Sequence, residues 1–165
     1  MTSTRHRFHR LLAAALFAGA ALPLAGAAGA SECPADKILV AHADIGWKED
    51  VGIRRKTLTV IDVGGWRQVP DLRFRTRRLT VPPGGVIPTH EHNDRPSIVY
   101  FIKGELIEHN SKCAVPIVHH AGEIDTEWGD FRHWWENKTG EDVVLLSTDI
   151  VPPDFLDDPK LDEPQ

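Results

Sequence analysis

Methionine and tyrosine occur once each in the 165 residues, and cysteine only twice. The two cysteines, Cys33 and Cys113, lack the spacing of a CxxC redox site or a thiolate ligand set. In an exported chain such an isolated pair makes one structural disulfide. Basic residues are outnumbered 19 to 24 by acidic ones, which argues against nucleic acid or an anionic lipid surface as partner. Past residue 24 no apolar run approaches the roughly 18 residues that span a bilayer. No amphipathic helical period exceeds two turns, and no internal repeat is visible. Without a Ser-His-Asp set, a phosphate loop or paired carboxylates, the common hydrolytic and phosphoryl-transfer classes have no foothold.

What is present begins with a leader. Arg5, Arg7 and Arg10 precede an apolar run from Leu11 to Leu24, and Ala28-Gly29-Ala30 follows. A positive n-region, an h-region and a small-residue cleavage site define a secretory signal peptide over residues 1–30. Glu32 before Cys33 speaks against a lipid anchor. Cleavage after Ala30 leaves 135 residues, a single domain's worth, and removes three arginines and no acid. The net charge then moves from −5 to −8. The expected location is periplasmic or secreted.

The remainder reads as short strands separated by turns. Arg54 to Val63 alternates as a strand and Gly64-Gly65 turns it. Leu72 to Val81 is the next, with Arg73, Arg75 and Arg77 on one face and Phe74, Thr76 and Arg78 on the other. The first arginine row is expected in solvent, with Arg78 toward a pocket. Glu105–His109 and Ala114–His119 form a hairpin around residues 110–112, and His133–Asn137 and Val143–Asp149 follow. Pro152 onward is an acidic, Pro-rich tail. Many short strands at this spacing predict an all-β sandwich or barrel.

One stretch organises the rest, from Gly85 through His90-Glu91-His92 to Gly104. Pro82-Pro83-Gly84 opens it, and Ser97 to Ile102 is a β-branched and aromatic strand. In extended backbone His90 and His92 point to one face, which is how a strand grips a metal ion. The stretch resembles the first motif of the cupin superfamily, with Gly85, His90, His92 and Gly104 in register. Gly122, His133 and Asn137 match the spacing of the second motif, with Trp128 in its Pro place and Asp130 in its Gly place. The family's glutamate position holds Ser97.

The resemblance implies a cupin-type jelly-roll β-barrel over residues 70–151, with residues 31–69 as an N-terminal arm and added strands and 152–165 as tail. It implies one divalent transition metal, Fe, Zn, Ni, Cu or Mn, on His90, His92 and His133. With a hydroxyl at Ser97, three neutral imidazoles would leave the ion its full charge and an open face. Such a site is similar to that of three-His cupins, among them non-haem iron dioxygenases, and suits a small anionic or chelating substrate. A non-catalytic small-molecule or metal-binding barrel is the alternative, and an isomerase or sugar-modifying cupin a weaker third. Val99 and Phe101 on the strand after Ser97, together with Trp135, are expected to line the pocket with Ser97 and Arg78. One of His119 and His120 should face the barrel without being a ligand. Cupins commonly pair, so the resemblance also implies a homodimer.

Overall fold

The structure is a computed structural model and describes residues 32–156. The signal peptide expected over residues 1–30 and the part of the expected tail beyond Leu156 lie outside those residues. Seven antiparallel strands make one strongly coiled sheet in the order β1-β2-β7-β3-β6-β4-β5. They are β1 (Arg54–Asp62), β2 (Arg73–Val81), β3 (Val86–Lys103), β4 (Glu105–Asn110), β5 (Ile117–His120), β6 (Ile124–Glu136) and β7 (Val143–Val151). This is the all-β, jelly-roll architecture expected. Among the described residues no helix is long and apolar enough to cross a membrane.

The first histidine-bearing motif makes one 18-residue strand, β3, rather than two. Its ladder with β6 slips between Ile87 and His90, between Glu91 and His92, and between His92 and Ser97. Such irregularities bend a strand and re-aim its side chains. They let one strand pair with β6 along its length and with β7 through residues 97–103. Gly129 lies opposite His92 with φ 116°, a backbone that only glycine adopts freely. Gly104, φ 88°, turns β3 into β4, and a Cβ there would meet Val143 Cγ2 at 2.9 Å.

The core gathers inward positions from both halves of the coil, including Val81, Phe101, Leu106, Trp135, Val143 and Leu145. The second alternation, on β2, runs opposite to expectation. Arg75 and Arg77 are buried, whereas Arg78 is exposed. The reason lies on β7, where Asp149 is the cross-strand partner of Arg75. Asp149 accepts from Arg75 Nε and Nη2 at 3.0 and 2.8 Å, which compensates the burial of that guanidinium.

Cys33 and Cys113 form a disulfide across 80 residues of sequence, with Cα atoms 5.8 Å apart. It ties down a largely irregular arm that follows the edge of the sheet. Ala43 N–H donates to Ser111 O, Trp134 Nε1 to Ile45 O, and Val51 exchanges backbone bonds with Val86. Ile38 pairs as an isolated bridge to Cys113, and Leu39 N–H donates to Lys112 O. Trp134 is consequently covered by the arm and stacked on His109 at 3.8 Å, while Tyr100 stays exposed on the outer face.

Candidate metal centre

His90 and His133 are direct cross-strand partners on β3 and β6, and His92 joins them past the irregularity that follows Glu91. The ring centroids lie 4.4, 4.9 and 5.0 Å apart. Each Nδ1 is committed to an acceptor oxygen: His90 to Pro88 O at 2.7 Å, His92 to Arg95 O at 2.8 Å, and His133 to Glu108 Oε1 at 2.8 Å. Carbonyl and carboxylate oxygens only accept, so each neutral ring carries its proton on Nδ1 and turns a bare Nε2 inward.

A carboxylate joins them from β6. Glu127 Oε2 lies 3.3 Å from His92 Nε2, and Oε1 lies 3.6 Å from His133 Nε2. One ligand atom from each of His90, His92, Glu127 and His133 falls within 4.8 Å of all the others. His133 Nε2 and His90 Nε2 approach to 3.1 Å, and His92 Nε2 is buried without a hydrogen-bond partner. Four lone-pair-bearing atoms converging in a buried space repel one another unless a cation or shared protons lie between them. The donor set, three imidazoles and one carboxylate, fits a divalent transition ion.

The electrostatics agree. Burial pushes His90 well below the usual histidine range, assisted by His133, His92 and Arg95. Burial likewise lowers His92, against the pull of Glu127. Both rings are therefore neutral at neutral pH, the form that ligates. Burial lowers His133 too, but Glu108, Glu127 and Asp125 outweigh it and hold that ring above its ordinary value.

Ser97 points inward at the centre of a transverse row. It pairs with Glu127 on β6 and with Asp149 on β7, and Asp149 pairs onward with Arg75. A glutamate at 97 would set three carboxylates side by side, whereas a hydroxyl separates two. Glu127, one strand over, brings a carboxylate to the three imidazoles, so that four donors rather than three could hold an ion. Glu127 lies in a polar segment, Asp125 to Asp130, that reads as a loop around Gly129. Counting back by twos from His133 along an extended strand reaches it.

Beside the four donors is a small pocket of about 40 Å3. Val99 and Trp135 line it, with Leu79, Ile87 and Leu145. Ser97 and Phe101 are buried but are not among its lining residues, and Phe101 is stacked on His119 at 5.0 Å. Arg78 is outside it, and the pocket's arginines are Arg77 and Arg95 instead.

Behind His133 sits a second group, Glu108, His119 and Asp125, whose ligand atoms also lie within 4.8 Å of one another. His119 is fully buried while His120 is exposed. Glu108 bridges the two sites, accepting from His133 Nδ1 through Oε1 and lying 3.1 Å from His119 Nε2 through Oε2. Burial raises Glu108, but its bonds to His119 and His133 prevail and hold it at about 2. Burial, then Glu108 and Glu127, push the Asp125 carboxyl up to about 7.

The antiparallel sheet thus carries His90-Glu91-His92 on β3 and a third histidine, His133, directly across from His90 on β6. Among solved structures the chain is similar to the Cnp3 cupin domain of Schizosaccharomyces pombe, at 10% identity and TM-score 0.49 over 73% of this chain and 77% of that one. It is similar to KdgF from Halomonas sp., at 17% and 0.49 over 68% and 94%. It is also similar to a predicted oxalate decarboxylase of Thermotoga maritima, at 19% and 0.43 over 61% and 94%. At such identities and TM-scores these likenesses concern fold alone. No protein-family model and no curated protein matches the chain.

Proposed function

We propose that the protein is an exported cupin that holds one divalent transition metal on His90, His92, His133 and Glu127. On this reading it is an oxidoreductase of the dioxygenase kind, acting on a small ligand bound in the adjoining pocket. The single observation carrying the reading is the convergence of four donor atoms with every imidazole Nδ1 already tied. A bound ion would supply Lewis-acid polarisation and, where redox-active, one-electron chemistry. Glu127 neutralises one unit of its charge. The apolar wall of Leu79, Ile87, Val99, Trp135 and Leu145 keeps the site poor in water, which strengthens each electrostatic contact inside. Glu108 fixes the tautomer and orientation of His133. The Cys33–Cys113 disulfide supports an oxidising compartment and hence export.

Elemental analysis of the purified protein, followed by oxygen-consumption assays across thiols, diketones, flavonols and small carboxylates, tests this. About one transition metal per chain, lost in His90→Ala together with turnover, is the expected result. Tight metal without turnover would replace the enzyme by a binding barrel, and no metal would remove both.

A further inference from the structure

One wall of the pocket carries an excess of positive charge with no role in holding a cation. Arg75, Arg77 and Arg95 all reach the same carboxylate, Asp149, at 2.8, 3.3 and 3.4 Å. Asp149 is fully buried and already occupied bidentately by Arg75. Three guanidiniums against one carboxylate leave two positive charges uncompensated in this cluster. Arg77 bears the consequence. It is 5% exposed, its Nε is buried without any hydrogen-bond partner, and it lines the pocket beside His90, His92 and Glu127. Burial, aggravated by Arg75, Arg95 and Arg55, lowers its pKa to about 10. A buried guanidinium with an idle donor is costly unless something anionic meets it. Arg95 shares the pocket wall, and Phe155 packs 5.9 Å from its guanidinium carbon.

From this we propose that Arg77 and Arg95 form an anion subsite that receives the carboxylate of a short-chain organic acid, whose second oxygen donor faces the four-donor centre. This rests on the function proposed above only for that second contact; the arginine subsite stands without it. A carboxylate on a short carbon skeleton matches the pocket better than inorganic phosphate. Beside the arginines, the wall is made of Leu79, Ile87, Val99 and Leu145, which suit methylene groups. Guanidinium forks bind carboxylates with two parallel N–H donors, and Arg77 Nε is such a donor left open.

The test is calorimetric titration of the full chain with malonate, pyruvate and inorganic phosphate, with and without the metal it retains. Malonate or pyruvate should bind the metal-free protein and bind the loaded protein more tightly. Arg77→Gln should weaken that binding at least tenfold in both states, Arg77→Lys less, and Arg95→Gln a few-fold, with metal affinity unchanged. Carboxylate binding that persists undiminished in folded Arg77→Gln and Arg95→Gln would overturn the subsite. So would the failure of both organic acids to bind wild type, or a preference for phosphate over both. Binding to a protein that takes up no metal would keep the subsite and remove the metal reading, so the two failures are distinct.

Discussion

Moving one carboxylate across a strand pair tests the architecture of the centre most directly. Ser97 and Glu127 are direct cross-strand partners facing inward, and such partners have Cβ atoms about 5 Å apart. A glutamate at either position can therefore reach the same donors. In Glu127→Ser the ion loses its anionic ligand, and the metal dissociation constant should rise by about 100-fold, or ~2.7 kcal/mol. Ser97→Glu alone, with Glu127 and Asp149 on either side, should destabilise the metal-free protein through like-charge crowding. The double variant Ser97→Glu with Glu127→Ser should recover metal affinity to within about tenfold of wild type. Calorimetric metal titrations and thermal melts with and without chelator read both quantities. The reasoning fails if Glu127→Ser binds metal as tightly as wild type.

Glu108→Gln removes the charged acceptor of the His133 Nδ1 proton, and metal affinity measured by competition with a chromophoric chelator should fall about 10–100-fold. Asp125 has a folded pKa of about 7, above its unfolded value, so the folded state holds that proton more tightly. Its contribution to stability is therefore present at low pH and is lost as pH rises towards 7. Between pH 5 and 8, urea melts of the metal-free protein should show wild type losing about 2 kcal/mol relative to Asp125→Asn; parallel pH profiles would refute this. Reducing the Cys33–Cys113 bond, which closes a loop 80 residues long, should cost about 4–5 kcal/mol on the chain-entropy model. A melting temperature unchanged by reductant would show that the arm is held by its backbone bonds alone.

The sequence makes the histidines legible and hides their carboxylate, for one physical reason. His90 and His92 need only the local fact that extended backbone returns to one face every second residue, and His133 enters through the register of a second motif. Glu127 depends on a strand whose first half, Asp-Thr-Glu-Trp-Gly-Asp, carries turn formers and charges. The inward face of that half is polar because it belongs to the site rather than to the core. Strand propensity reports how a side chain fits a pleated, half-buried surface, so a strand that buries ligands looks like a loop. The same applies to β3, whose segment from Glu91 to Pro96 joins two expected strands into one.

The arginine row shows a different limit. Alternation along β2 separates Arg75 and Arg77 from Arg78, but the period alone does not say which face is inside. Charge suggests solvent for the richer row, and the structure buries it. What reverses the assignment is Asp149, 74 residues away from Arg75, because a buried ion pair needs both partners in place. A fully buried carboxylate shared among guanidiniums is a weak way to stabilise a barrel, since well-packed apolar groups often do as well. The row makes more physical sense as one half of a divided floor. On β3 and β6 inward side chains gather imidazole and carboxylate lone pairs towards a cation, and Arg77 of β2 and Arg95 of β3 leave guanidinium donors over for an anion. Ser97 stands between Glu127 and Asp149, and keeping that position small and neutral is what lets the two halves lie one strand apart.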